Sequence, residues 1–265
     1  MPVPRVRLDS LLAERGLFES RTRAAAAVIA GDVHIGVGRR RAEKPGQLVS
    51  DDIELDVAAE PPFVSRGGIK LANALDARGV LVEGRRALDV GASTGGFTDC
   101  LLQRGAAHVI ALDVAYGELA LPLRDDLRVT VLERTNARTL EPGVLPYRPD
   151  LVVADVSFIS LAKVLPAVLA CTAERFEALA MVKPQFEVGR EGISRGGVVR
   201  DAALRRSALV RVAGAAEAAG AAVMGFAPSG LPGPAGNRET FARLAEGGRA
   251  GAVVDLKRAA AAVDA

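Results

Sequence analysis

Apolar residues recur along the chain with two spacings, one suited to helices and one to buried strands. Leu8, Leu11 and Leu12 mark one face of a short helix that Gly16 stops. Ser20 caps a second helix from Arg21 to Ala30, and Gly31 ends it. Val33-His34-Ile35-Gly36-Val37 and Ile53-Glu54-Leu55-Asp56-Val57 read as hairpin-like strands, with a basic turn at Arg39-Arg40-Arg41 between them. From about residue 64 the pattern changes. A helix carrying Leu71 and Leu75 ends at Gly79, and short apolar runs then alternate with helical stretches. The runs predict strands over 87–90, 109–113, 129–132, 151–155, 178–184 and 221–226. Helices are predicted from about Gly95, over 159–171, over 202–219 behind an Asp201 cap, and over 253–263. A loop rich in glycine and proline, 228–236, leads to Asn237-Arg238-Glu239-Thr240-Phe241. Continuous apolar strands separated by helices indicate an α/β fold: a doubly wound, Rossmann-like sheet of ~200 residues. A small α+β segment precedes it.

The first strand of that sheet runs into Asp89-Val90-Gly91-Ala92-Ser93-Thr94-Gly95-Gly96-Phe97. Glycines there let backbone approach a ligand, and the following helix offers free N–H groups. Asp113 closes the next strand, where a nucleotide cofactor's ribose hydroxyls are bound. Gly91 and Gly96 are spaced as in G-x-G-x-x-G, but Ser93 replaces the middle glycine that a pyrophosphate needs. S-adenosylmethionine has no phosphate and tolerates a side chain at that point. Asp89 also suits its amino group and sulfonium. The combination favours a methyl donor over NAD. The expected contacts are Asp89, Gly91, Ala92, Ser93, Gly95 and Gly96 to the methionine portion, Asp113 to the ribose and Asn136 near adenine.

The 265 residues are 49% apolar and 25% charged, with a formal net charge of +2, so the chain has no global basic field. The first 50 residues differ: nine basic side chains stand against five acids. Cys100 and Cys171 sit in apolar helical contexts and read as buried thiols of a reducing compartment. His34 and His108 have no ligand-spaced partners, so no metal is expected. No apolar run approaches the ~18 residues of a membrane span. The start Met-Pro-Val-Pro-Arg is not a signal peptide, and a cytoplasmic location is expected. The expected domains are 1–60, a linker and domain start over 61–70, and 71–265.

Ligands of such sheets sit at the C-terminal strand ends. Asp155 and Lys183 both occupy that position, and Lys70 and Glu239 fall in segments on the same side. A lysine near a helix start also opposes the macrodipole, a local conflict that points to function.

Two resemblances add to this reading. Arg7-Leu8-Asp9-Ser10-Leu11-Leu12, Ser20-Arg21-Thr22-Arg23-Ala24 and Val28-Ile29-Ala30-Gly31-Asp32-Val33-His34-Ile35 together resemble the small RNA-binding domain named after ribosomal protein S-four. That resemblance implies RNA docking, with Arg7, Arg21, Arg23, Arg39, Arg40, Arg41 and Arg66 as candidate contacts. Val64-Ser65-Arg66-Gly67-Gly68-Ile69-Lys70-Leu71, residues 89–97, Glu133-Arg134-Thr135-Asn136-Ala137-Arg138, Asp155-Val156-Ser157-Phe158-Ile159-Ser160-Leu161, Val182-Lys183-Pro184-Gln185-Phe186-Glu187 and Pro232-Gly233-Pro234-Ala235-Gly236-Asn237 follow in order. These stretches resemble the TlyA family, which joins such a domain to one related to the FtsJ ribose methyltransferases. Gly68-Ile69 departs from the alanine and polar residue expected there. The resemblance implies a Lys-Asp-Lys-Glu tetrad on Lys70, Asp155, Lys183 and Glu239. It also implies 2′-O-methylation of ribosomal RNA, typically at cytidine in the 16S or 23S molecule.

A ribose hydroxyl is a poor nucleophile until its proton is removed or its developing charge is stabilised, so the site needs in-line placement and a base. Lys183 is the candidate base. It must be neutral to act; burial and the Lys70 cation favour that form, and Asp155 opposes it. Asp155 is assigned to orienting Lys183 and the methyl donor, Lys70 to holding the alkoxide or a phosphate, and Glu239 to positioning Lys70 or the ribose. These roles are interchangeable on sequence grounds. The rival classes are a non-catalytic RNA-binding or haemolysin-like protein and an NAD-dependent oxidoreductase. Ser93 and the lack of a proton-shuttling His or Tyr disfavour the last.

Overall fold

The computed structural model describes residues 5–57 and 62–264. The chain divides into two compact units, Met1–Pro61 and Pro62–Ala265.

In the first unit, β1 (Arg5–Arg7) leads into α1 (Leu8–Glu14) and α2 (Arg21–Ala30). The Ser20 side chain accepts from the Arg23 N–H, and Gly31 closes α2 in the left-handed region at φ +94. Four short strands follow: β2 (Val33–Ile35), β3 (Arg40–Arg41), β4 (Leu48–Ser50) and β5 (Leu55–Val57). β2 lies between β3 and β5 in one antiparallel sheet, and β1 pairs with β4 in another. Leu8, Leu12, Val28 and Val33 form the centre of the core. The sequence reading missed β1 and β4. It also placed Arg39, Arg40 and Arg41 in one turn. Only Arg39 is in the turn, at φ +46, and Arg40–Arg41 is β3.

The second unit holds α3 (Arg66–Arg78), β6 (Arg86–Val90), α4 (Gly96–Gln103), β7 (His108–Leu112), α5 (Leu121–Arg124) and β8 (Val129–Leu132). It continues with β9 (Leu151–Ala154), α6 (Leu161–Ala170), β10 (Glu177–Val182), α7 (Pro184–Glu187), α8 (Ala202–Ala218), β11 (Ala221–Pro228), β12 (Thr240–Glu246) and α9 (Leu256–Val263). Residues 62–70 belong to this unit: Ser65 caps α3, which starts inside the expected linker. Glu60 and Pro61 lie outside the described residues.

The seven strands are ordered β11-β12-β10-β9-β6-β7-β8. β6 to β10 are parallel, and β12 is antiparallel to both β10 and β11. The sequence reading had no β12. Its burial does not alternate, and Arg243 within it bonds Glu177 of β10 at 2.8 Å. One face of the sheet packs on α6, α8 and α9 through Leu88, Val152, Leu165 and Val212. The other packs on α3, α4 and the α5 region through Leu71, Leu101, Val109 and Leu123. Cys100 and Cys171 are both buried, and burial pushes the Cys100 thiol up to about 12, keeping it protonated.

Candidate active site

Strand parity decides where Asp89 goes. Leu88 and Val90 face the α6 side of the sheet, so Ala87 and Asp89 face α3 and α4. Asp89 is fully buried beneath the start of α4, where one oxygen accepts from the Thr98 N–H at 2.9 Å and the Thr98 hydroxyl at 2.8 Å. Its other oxygen has no hydrogen-bond partner among the described residues. Burial pushes this carboxyl up to about 7; the Thr98 bonds oppose the shift, and Asp155 and Asp113 add to it. Asp89 therefore shapes the turn from below and is not among the residues lining the cavity above it.

The glycines of the turn divide in the same way. Gly91 has φ +86, and a Cβ there would lie 2.5 Å from the Asp155 carbonyl oxygen. At Gly96 a Cβ would meet the Ser65 hydroxyl at 2.1 Å and the Gly68 nitrogen at 3.0 Å. At Gly95 it would meet Leu123 at 2.3 Å. Gly95 and Gly96 thus serve close packing of α4 against α3 and α5, and with Ala92 they lie outside the cavity lining. Gly68 is explained similarly: the Phe63 ring fills the place an alanine methyl would take, 2.3 Å from it.

The cavity, of about 350 Å³, lies over the ends of β6, β7 and β9, within the size range of small-molecule sites. Gly91, Ser93, Asp113, Asn136 and Asp155 line it. Ser93 sits at φ +47, donates its N–H to Asp113 at 2.8 Å and its hydroxyl to Glu118 at 3.0 Å. The second Asp113 oxygen accepts from the Ala115 N–H at 2.8 Å, and the Asn136 side chain accepts from the Arg138 N–H at 3.0 Å. The sequence reading missed Glu118, Thr135, Ser157 and Phe158, which also line the cavity. Glu118 carried no local signal, whereas Thr135 stands inside the Glu133 to Arg138 motif, beside Asn136. Ser157 and Phe158 stand inside the Asp155 to Leu161 motif and could have been found there. Phe158 is exposed at φ +64, its ring 5.4 Å from that of Phe186.

The tetrad residues reach the same sheet edge. Asp155 follows β9, Lys183 follows β10 and Glu239 precedes β12; the register opposes Val182 to Thr240. Because β12 runs the other way, its start lies beside the end of β10, whose other neighbour is β9. Lys70, on α3, places Nζ 2.5 Å from Glu239 Oε2, with both side chains buried. Lys183 Nζ lies 2.5 Å from Asp155 Oδ1 and donates to Ser157 Oγ at 2.9 Å. The four residues thus form two ion pairs. Glu187 bridges the loops that carry the second pair: it accepts from the Ser160 hydroxyl at 2.6 Å and the Leu161 N–H at 2.7 Å. Burial pushes its carboxyl upward.

The candidate RNA-binding arginines are less uniform than their sequence run. Arg7 makes two bonds to Asp9, at 3.0 and 2.6 Å, and Arg21 lies 3.7 Å from the same carboxylate. The Asp9 carboxyl is held down at about 2 by Arg7. Arg39 pairs with Asp56, and the Arg41 guanidinium folds over Gly31. Arg40 and Arg41, as neighbours on a strand, point to opposite faces. Arg23 is exposed at the start of α2. In the second unit, Arg66 donates to the Pro232 carbonyl at 2.9 Å, which ties the start of α3 to the 228–236 loop.

Comparison with known proteins agrees with this geometry. The FtsJ-like methyltransferase family matches residues 63–245. The chain is 52% identical over 239 residues to the Mycobacterium tuberculosis protein named 16S/23S rRNA (cytidine-2′-O)-methyltransferase TlyA, covering 89% of this chain and 88% of that one. A solved chain from Streptococcus thermophilus, described as a candidate hemolysin, is 38% identical, with TM-score 0.73 and coverage of 98% and 96%. A Mesorhizobium loti S-adenosylmethionine-dependent methyltransferase shares the fold, with TM-score 0.51 at 16% identity. A cavity at the switch point of a doubly wound sheet, two ion pairs beside it and a match across most of the length converge: the chain belongs to the FtsJ-like methyltransferase family, in its TlyA branch.

Proposed function

We propose that the protein transfers a methyl group from S-adenosylmethionine to the 2′-hydroxyl of a cytidine in ribosomal RNA. The observation that carries this reading is the Lys183–Asp155 pair: Asp155 lines the cavity at the end of β9, next to the strand that leads into Gly91, and Lys183 reaches it from the end of β10. The cavity fits the cofactor. Gly91 keeps clear the space beside the Asp155 carbonyl, and Asp113, Glu118 and Asp155 offer carboxylates to a ligand bearing an ammonium and a sulfonium. Asp113 would hold the ribose hydroxyls through its remaining lone pairs, with Asn136 toward the base. When bound, the cofactor supplies an electrophilic methyl group.

The chain's own residues then have separate tasks. Lys183 Nζ, in its neutral form, takes the proton of the 2′-hydroxyl, and Asp155 pairs with the ammonium that results. Asp155 and Ser157 fix where that nitrogen points. Glu187 keeps the Asp155 and Lys183 loops in register through its bonds to Ser160 and Leu161. Lys70, held by Glu239, places a fixed positive charge beside the developing alkoxide, the preorganised kind of stabilisation that needs no rearrangement during reaction. The small N-terminal unit carries the arginines that meet RNA backbone. With ribosomal RNA as substrate, the protein works in the cytoplasm. Among the described residues no helix is long and apolar enough to cross a membrane.

The deciding experiment incubates the protein with S-adenosylmethionine and rRNA from a strain lacking the gene, then digests the RNA to nucleosides. The expected product is 2′-O-methylcytidine. Methyl incorporation on a base, or none on 16S or 23S rRNA, overturns the reading.

A further inference from the structure

A second cavity, of about 510 Å³, opens on the same sheet edge beyond β10. Its walls are the residues just after β11 and the end of α9, and its floor is Arg238, Glu239 and Thr240. Along the strand order the methyl-donor cavity lies over β7, β6 and β9, and this one over β12 and β11. The tetrad stands between them, and Glu239 belongs to both the tetrad and the second cavity's floor.

The carboxylates around this cavity each meet a cation. Glu239 pairs Oε2 with Lys70, while its buried Oε1 has no hydrogen-bond partner among the described residues. Asp264 accepts two bonds from Arg205, at 2.8 and 3.0 Å. Arg238 is exposed and, among the described residues, has no hydrogen-bond or ion-pair partner. The cavity therefore presents one uncompensated guanidinium against apolar walls that include Leu231, Pro232 and Val263.

The walls are also fixed in place. The Asn237 side chain accepts from the Val199 N–H at 2.9 Å and donates to the Gly197 carbonyl at 2.8 Å. Its own carbonyl accepts from Gly233 at 2.9 Å, and Arg66 holds the Pro232 carbonyl. A rigid site with a single cation and apolar sides suits a ligand with one negative charge and a largely apolar body. A nucleotide unit within an RNA strand, with its one phosphodiester charge and flat base, has that character.

We propose that this cavity holds the nucleotide next to the methylated one in the RNA strand, with its phosphate on Arg238. The proposal rests on the methyltransferase reading and extends it to how the strand is threaded. The methyl donor lies on one side of the tetrad, the neighbouring nucleotide on the other, and the target ribose between them. Guanidinium is suited to the phosphate because it offers two parallel donors.

The test uses the full-length protein with Arg238→Ala, Arg238→Glu and, as a control, Arg258→Ala on the exposed side of α9. Rate measurements on rRNA should show KM for RNA raised roughly tenfold by Arg238→Ala and further by Arg238→Glu. They should show kcat within about twofold of wild type, and calorimetry an unchanged affinity for S-adenosylmethionine. RNA binding without the cofactor should lose about one unit of its log–log salt slope. Arg258→Ala should behave as wild type.

A KM and salt slope for Arg238→Ala equal to those of the control overturn the proposal. So does a fall in kcat with KM unchanged, which would make Arg238 a support for Glu239. Titration with inorganic phosphate separates a free-anion site: phosphate binding lost in Arg238→Ala, with the RNA slope intact, also overturns it. Because the salt slope is read without methyl transfer, an inactive wild-type protein would sink the methyltransferase reading and leave this test standing.

Discussion

The two ion pairs of the site differ in one respect that separates their roles. The Lys70 and Glu239 side chains are 8% and 1% exposed; those of Lys183 and Asp155 are 12% and 25% exposed. The first pair, between α3 and β12, is sealed from the methyl-donor cavity, with Glu239 flooring only the second cavity, and the second pair opens on the methyl-donor cavity through Asp155. A sealed pair cannot exchange its proton with a substrate without breaking a buried contact. An open pair can trade its partner for one. The same chemistry, lysine with a carboxylate at 2.5 Å, thus gives a fixed charge in one place and a reactive amine in the other.

The sharpest way to break this comparison is at Lys183. Lys183→Ala should cut single-turnover methyl transfer by ~10²–10⁴-fold, the usual contribution of a general base, with cofactor and RNA still bound. Lys183→Arg should fail as well, because guanidinium keeps its proton near neutral pH. Transfer by the Arg variant at the wild-type rate would reduce the open pair to an electrostatic clamp and make Lys70 the next candidate base.

The second prediction concerns stability. Removing one partner of the sealed pair, as in Lys70→Met or Glu239→Gln, leaves a buried charge and should cost about 3–5 kcal/mol in denaturant unfolding. The double variant should recover most of that loss. Lys183→Met or Asp155→Asn should cost clearly less, because water reaches Asp155 and screens the charge left behind. Equal costs for the two pairs would remove the distinction between sealed and open.

A smaller effect comes from Asp89, the carboxylate buried beneath the glycine turn. Its folded carboxyl is raised to about 7, above the usual carboxylate range, chiefly by burial. The folded state therefore holds this proton at pH values where the unfolded state has released it. Stability from this group is full below pH ~4 and is lost as pH rises toward 7, with a slope of at most about 1.4 kcal/mol per unit. Asp89→Asn should flatten that stretch of the stability–pH curve. A curve unchanged by the substitution would show that Asp89 does not titrate there.

Local signals survived into the structure where the cause is local. Ser20 and Gly31 bound α2, Asp201 caps α8, and Gly79 ends α3. Strand-end placement of Asp155 and Lys183 follows from apolar runs and holds. What the sequence hid is long-range. The contact between Lys70 and Glu239 spans 169 positions; no local pattern shows it, and it was expected only as one of the two roles, positioning Lys70 or the ribose, given to Glu239. β12 was illegible because Thr240-Phe241-Ala242-Arg243-Leu244-Ala245-Glu246 is covered on both sides and its arginine is neutralised by another strand. The glycine turn looked like a single ligand cradle. Gly95 and Gly96 answer to helix packing instead, because the residues they make room for, Leu123 and Ser65, come from elsewhere in the chain.

The antiparallel insertion of β12 has a consequence for how the molecule is made. β11 is synthesised before β12, yet in the finished sheet that later strand separates it from β10. The sheet stays open until residue 246 has emerged, and with it the tetrad, since Glu239 enters the fold on that strand. Closing so distant a contact is slow compared with local helix formation. A chain released short of β12 lacks both an interior strand and the carboxylate that anchors Lys70. Catalytic competence thus waits for β12, and the core waits further, for α9 to cover its face of the sheet.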